Sequence, residues 1–336
     1  MIRDITPVAG IDWDSPGARF YHLPFTHDHL WGRIRVPLFV ACSPNPGTTV
    51  VAIGGTHGDE YEGPVGLKNL INDLDPGHLV SGRFIVLPTL NVPAFRAGTR
   101  DSPQDGQNMN RVFPGDAAGT ITRRIARFVT DEVFPRSDVV IDLHAGGAGF
   151  EIVRCMSFHQ LDDPGQYAKY RATALLFGTP FVMVYASGLG TGLLTEAAEA
   201  LGKITIGSEL GYGASTDLDG VRWAHHGTRN VLRHFGLLDE PVADLTAPGL
   251  DRQRILSATN LDRYVTAPVS GINEPLVNVG AFVQEGQPVT RIHDFERFDE
   301  PPVEIVADGD GYVMCRKFRA ATEQGEVVMV IASEIA

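Results

Sequence analysis

The sequence predicts an α/β protein, a mostly parallel sheet with helices on both faces, followed by a C-terminal all-β module of barrel-sandwich type. Three observations lead there. Between residues 50 and 235, β-branched runs alternate with segments of helical periodicity, as in a parallel sheet wrapped by crossover helices. From residue 264 the helical period disappears, and Val-rich runs with Gly-containing turns take over, in APVSGINEPLVNVGAFVQEGQPVTRI, VEIVADGDGYVMCRKF and GEVVMVIA. Residues 237–248 between them contain Pro and Asp and read as a linker, dividing the chain into domains 1–240 and 241–336.

The elements follow in order. A β-rich opening includes the apolar run 34–40. The run 50–53 ends in Gly54-Gly55 and is followed by THGDEYEG and then by GPVGLKNLINDL, where Val65, Leu67, Leu70, Ile71 and Leu74 fall at helical spacing. Residues 83–87 form the next strand, 120–134 a helix with Thr120 as candidate N-cap, 138–143 a strand and 166–177 a helix. Strands at 181–185 and 203–208 and a helix at 228–235 complete the unit. Right-handed crossovers place the strand carboxyl ends on one edge. The APVSG and VGAFVQEGQPV segments are similar in shape to lipoyl and biotinyl carrier modules, but DGDGY carries no lysine, so the module is read as a structural cap.

Composition excludes several classes of function. The 336 residues are 43% hydrophobic and carry a formal charge of −13, with 41 acidic against 28 basic residues, which leaves no basic footprint for nucleic acid. No apolar run is long enough to span a membrane, and MIRDITPVAGIDWDSPG lacks the basic start and apolar core of a signal peptide, so a cytoplasmic protein is expected. Cys42, Cys155 and Cys315 are scattered and read as small buried residues in a reducing compartment. Exposed edge strands of the cap offer a surface for pairing between subunits in a homo-oligomer.

The chemistry gathers at strand ends. His57 and Glu60, three residues apart after the 50–53 strand, can converge on one ion if the segment turns tightly, a turn that Gly58 permits. His144 ends another strand on the same edge, where ligands bind in open α/β folds. Two imidazoles and a carboxylate leave a tetrahedral zinc one open position, the pattern of a catalytic site. Glu209 ends a third strand and is placed to accept a proton. Asn110 with Arg111 in NMNRVFPG, and Arg100 in the preceding loop, fit a carboxylate clamp and an oxyanion partner, or surface ion pairs. His225-His226 is read as a helix-start or loop pair whose side chains diverge. His22, His27, His29 and His159 show no partner at useful spacing.

The series HGDE, NVPAF–GTR, NMNRVFPG, DLH and SELG, spread over residues 50–213, resembles the succinylglutamate desuccinylase/aspartoacylase family, relatives of the zinc carboxypeptidases. The resemblance implies a zinc-carboxypeptidase-like fold and hydrolysis of the amide of a small N-acyl amino acid. By the same resemblance His57, Glu60 and His144 match the zinc ligands, and Glu209 the general base. Arg100, with Arg96 as rival, matches the carbonyl-polarising arginine, Asn110 and Arg111 the carboxylate pair, and Asp142 the carboxylate that steadies a ligand histidine, as physical chemistry also expects. HGDEYEGP, AFRAGTR and DLHAGG narrow the likeness to N-acetyl-diaminobutyrate deacetylases, whose substrate amine calls for an acidic partner; Glu196, Glu199 and Asp217 are the candidates. A carboxypeptidase-type peptidase and a non-catalytic binding protein are the alternatives.

Overall fold

A computed structural model describes residues 7–26, 33–186, 188, 190–246 and 250–335. The first six residues, His27, His29 and linker positions 247–249 lie outside the described residues. The chain opens with the long hairpin β1 (Gly17–Thr26) and β2 (Arg33–Cys42), followed by β3 (Thr49–Gly54), α1 (Glu62–Asp73), β4 (Arg83–Leu87), the short α2 (Val92–Ala97), α3 (Ile121–Phe128) and β5 (Val139–Leu143). Next come β6 (Phe150–Ile152), β7 (Cys155–His159), α4 (Pro164–Leu175), β8 (Phe181–Tyr185), α5 (Leu194–Glu199), β9 (Ile204–Glu209) and α6 (Leu218–His234). The remaining strands are β10 (Arg254–Ala258), β11 (Tyr264–Thr266), β12 (Gly271–Pro275), β13 (Phe282–Val283), β14 (Pro288–His293), β15 (Val303–Val306), β16 (Gly311–Lys317), β17 (Ala321–Thr322) and β18 (Val327–Ile335).

One mixed sheet runs in the order β1-β2-β4-β3-β5-β9-β7-β8-β10-β18-β16-β13. Its centre is parallel: β4, β3, β5 and β9 pair in parallel, as do β7, β8 and β10. The hairpin joins through an antiparallel β2–β4 pair, and β7 lies antiparallel to β9. Every residue of β3 and β5 is buried, as expected of β-branched strands covered on both faces. One face carries α1, α4 and α6, through Leu67, Leu70, Tyr170, Ala174, Trp223 and Val231. The other carries α3 and α5, through Ile121, Ile125, Leu194 and Ala198.

The structure revises several predicted boundaries. The 120–134 helix is α-helical only to Phe128, then passes through a π turn, Val129–Val133, and a 3-10 turn, Phe134–Arg136. Thr120 stands at its N-cap without a side-chain cap hydrogen bond. Helix α6 begins at Leu218, ten residues before the predicted 228, because Asp217 caps it by accepting from the Gly220 amide at 2.8 Å. His225 and His226 lie mid-helix with rings stacked 4.2 Å apart, not at a helix start and not diverging, and His225 faces Asp73 at 3.4 Å.

The C-terminal strands form a four-stranded sheet, β15-β14-β12-β17, whose apolar side meets β13, β16 and β18 around Val265, Val283, Val289, Ile292, Val313 and Val328. Strand β10, which the sequence hides beyond the linker, pairs in parallel with β8 and antiparallel with β18, so the main sheet continues into the C-terminal strands. Strand β6 pairs with β16, Phe150 opposite Lys317, which ties the loop after His144 to the C-terminal module. Cys42, Cys155 and Cys315 are all free, and burial pushes each thiol up, that of Cys315 to about 12. No helix among the described residues is long and apolar enough to cross a membrane.

Candidate active site

The carboxyl ends of β3, β5 and β9 sit side by side and deliver His57, His144 and Glu209 to one cavity of about 400 Å³. After β3 the chain turns through Gly55, at φ +63, and lays His57 to Glu60 against the backbone of α2. Gly58 is required for that approach: a Cβ there would lie 2.0 Å from the carbonyl carbon of Ala94. Its φ is not positive, so close contact rather than a left-handed turn demands the glycine.

Glu60 is the centre of the cluster. Its Oε1 lies 2.7 Å from Nδ1 of His57 and its Oε2 2.7 Å from Nδ1 of His144, while the Ala145 amide donates to Oε2 at 3.1 Å. Arg100 donates to Oε1 at 3.1 Å. Burial alone would raise the Glu60 carboxyl, but the two imidazoles outweigh it and hold the group well below the usual carboxylate range. Burial opposes protonation of His144 as well, yet Asp142 and Glu60 together raise it well above the ordinary histidine value.

Each imidazole has a polar partner on its far nitrogen. Nε2 of His144 donates to Oδ2 of Asp142 at 2.8 Å, and Oδ1 of Asp142 accepts from the Thr56 hydroxyl at 2.9 Å. Nε2 of His57 donates to Oδ1 of Asn108 at 3.0 Å. A metal ion would displace the Nδ1 protons and leave both Nδ1 atoms as electron-pair donors beside Glu60; ligand atoms of His57, Glu60 and His144 all lie within 4.8 Å of one another. Two imidazoles, neutral once they bind a metal, and one carboxylate match the nitrogen and oxygen donors of a zinc site with an open position. An orphaned group supports the fit: the enclosed Oε2 of Glu209 has no hydrogen-bond partner. Burial, and next the Glu60 charge, push the Glu209 carboxyl up to about 8.

Arg100, Asn110 and Arg111 line the same cavity. Arg96 is exposed on α2 and does not. Oδ1 of Asn110 accepts from the Leu194 amide at 2.8 Å, which aims its Nδ2 toward His144, 3.3 Å from Nε2. Arg111 donates to the Asn110 carbonyl at 2.6 Å, and burial with the neighbouring Arg100 charge lowers its pKa. All eight residues singled out in the sequence therefore meet at one cavity.

The three acidic candidates for a substrate amine do not join them. Glu196 stands at the start of α5, its carboxylate 3.4 Å from the Leu193 amide, and Asp217 pairs with Arg154 at 2.6 Å. Glu199 binds Nδ1 of His159 at 2.8 Å, giving that histidine a partner forty residues away that spacing does not reveal. Sequence reasoning also missed Asn108, although it lies in the NMNR motif, and Asp59, which accepts from the Ala148 amide at 2.9 Å and holds the loop after His144. Phe150, Ser157, Tyr185, Thr195 and Tyr264 also line the cavity with no local motif to announce them.

An open α/β sheet that gathers two imidazoles, three carboxylates and two guanidinium groups at its carboxyl edge has the equipment of a metal-capable hydrolase. Residues 46–235 match the model of the family described as succinylglutamate desuccinylase/aspartoacylase catalytic domain. Over 330 residues the chain is 36% identical to the N-alpha-acetyl-L-2,4-diaminobutyric acid deacetylase of Halomonas elongata, covering 97% of this chain and 95% of that protein. Among solved structures, the succinylglutamate desuccinylase/aspartoacylase from Rhodobacter sphaeroides superposes with a TM-score of 0.91 at 32% identity, covering 97% of this chain and 98% of that one. The product-bound Ectoine utilization protein EutE (DoeB) from Ruegeria pomeroyi gives 0.88 at 34% identity, with 96% and 97% covered. The chain belongs to the succinylglutamate desuccinylase/aspartoacylase family and is a hydrolase of the deacylase class.

Proposed function

We propose that this chain hydrolyses the amide of an N-acetyl amino acid of the Nα-acetyl-2,4-diaminobutyrate type, releasing acetate, with a zinc ion held by His57, Glu60 and His144. The observation that carries the reading is the convergence of those three side chains, Glu209, Arg100 and the Asn110–Arg111 pair on one cavity. The identity to the Halomonas elongata deacetylase, spread over nearly the whole chain, supports the choice of substrate.

Zinc in such a donor set supplies a Lewis acid for the amide carbonyl and lowers the pKa of water to about 7. The protein's own groups do the rest. Arg111 and Asn110 bind the substrate carboxylate, Arg111 through a two-pronged charge-assisted contact. Arg100 faces the acyl oxygen and balances the negative charge that grows there. Glu209, whose carboxyl the charge of a bound zinc would return toward the ionised form, takes a proton from the attacking water as carboxylate and hands it to the departing nitrogen, so the amide C–N bond breaks to give acetate and a free amine. Asp142 and Asn108 hold the imidazole tautomers that leave Nδ1 available.

Residues 241–336 act in this reading as a cap. Tyr264 from β11 lines the cavity, and β16 fixes β6 with Phe150 at its rim, which favours a small acyl amino acid over an extended peptide. The test is a panel of acetyl, succinyl and formyl amino acids, with and without side-chain amines, assayed beside short peptides. Turnover confined to peptides would reject the reading.

A further inference from the structure

The sequence left open which group receives a substrate amine, and none of its three acidic candidates lines the cavity. Building on the deacylase reading, we propose that the hydroxyl groups of Ser157, Tyr185 and Thr195 form the subsite that reads the substrate side chain, and that they select a short side chain ending in an ammonium group.

Three separate elements bring these hydroxyls to one cavity. Ser157 lies on β7, Tyr185 ends β8 and Thr195 is in the first turn of α5, and all three line the cavity. Ser157 and Thr195 are 6% and 7% exposed, and Tyr185 is half-buried. The Ser157 hydroxyl makes no hydrogen bond among the described residues, and a Cβ on neighbouring Gly207 would stand 2.9 Å from it, so the glycine keeps it clear. Met183 adds an apolar wall suited to a methylene stem.

Placement relative to the carboxylate pair favours this use. Asn110 is bonded to the Leu194 amide at 2.8 Å, one residue from Thr195. The carboxylate and side chain of an amino acid branch from one carbon, so a substrate held at Arg111 and Asn110 delivers the end of a short side chain nearby. The charge pattern fits a cation. Among the described residues no Lys or Arg other than Arg100 and Arg111 lines the cavity, and Asp142 and Glu209 border it. Behind it, Glu199 is held by His159 at 2.8 Å and by the Thr205 hydroxyl at 2.7 Å. Burial is the main cause that raises the Tyr185 phenol; the Thr195 hydrogen bond opposes it, and Glu199, Asp142 and Glu209 add to it. An ammonium there meets hydroxyl acceptors, whereas a methyl in its place leaves the Ser157 hydroxyl without a partner.

The experiment compares kcat/KM for Nα-acetyl-2,4-diaminobutyrate with that for N-acetylnorvaline, in which a methyl replaces the ammonium, in the full chain and in the variants Tyr185→Phe and Ser157→Ala. The unaltered protein is expected to prefer the amine by about a hundredfold or more, and each variant to cut that ratio by about tenfold. A purely structural role would lower both substrates together and leave the ratio unchanged. Equal rates on the two compounds in the unaltered protein, or an unchanged ratio in both variants, would overturn the subsite while leaving the deacylase reading intact. Failure to hydrolyse any N-acyl amino acid would overturn both.

Discussion

Asp142 and His144, two residues apart at the end of β5, are joined by a 2.8 Å hydrogen bond from Nε2 to Oδ2 that turns Nδ1 of the same ring toward Glu60. With a metal on Nδ1 the bond would keep the remaining hydrogen on Nε2, and the Thr56 hydroxyl in turn holds the carboxylate. Replacing Asp142 with Ala should weaken zinc affinity about 10- to 100-fold, measured by competition with a chromogenic chelator. Unchanged affinity would mean that His144 is oriented by something else.

Glu209→Gln should abolish turnover, by about a hundredfold or more, and leave zinc content unchanged. Activity that survives the substitution would reduce Glu209 to a wall residue.

Glu209 also makes the stability of the metal-free protein depend on pH. Its folded pKa of about 8 lies above the ordinary 4.5, so the folded state binds the proton more tightly than the unfolded chain does. The resulting stabilisation is full below pH 4.5 and is lost as pH rises through 8. Metal-free Glu209→Gln, which never ionises, should therefore gain in Tm relative to the metal-free parent between pH 5 and pH 8, by at least a few degrees, on the order of that produced by about 1 kcal/mol. A parallel pair of Tm profiles would show that Glu209 ionises freely.

Arg111→Ala should raise KM about tenfold or more with kcat little altered, because a carboxylate contact is made equally in the ground and transition states. A loss confined to kcat would place Arg111 at the reacting carbonyl instead.

Gly58→Ala tests the scaffold. The added methyl meets the Ala94 carbonyl carbon at 2.0 Å and must displace the segment that carries His57 and Glu60. A cost of about 3 kcal/mol or more in denaturant unfolding is expected, with loss of zinc. A variant as stable as the parent would show that the loop is free to shift.

Legibility followed the range of the interactions. The β-branched runs of β3 and β5 and the residues at their carboxyl ends were readable because strand, turn and side-chain direction are set within a few residues. The start of α6 was missed because its first turn carries exposed Leu218, at 86%, so the apolar period begins later than the helix. Strand β10 was hidden for a different reason: five residues after a linker have no pattern of their own, and only pairing with β8 and β18 makes them a strand. The same holds for the cavity. Asp142 and His144 are neighbours in sequence, whereas Ser157, Tyr185, Thr195 and Tyr264 come from four separate elements and share nothing but the place where the chain folds them together.

The central claim, that His57, Glu60 and His144 form a zinc centre on which deacylation depends, is tested most directly by metal analysis and assay of the same samples. The account predicts about one zinc per chain in the gently purified protein, loss of zinc and deacetylase activity together on chelation, and recovery of both on adding zinc back. Full deacetylase activity in exhaustively chelated protein, or unchanged zinc content in His57→Ala and His144→Ala, would contradict it.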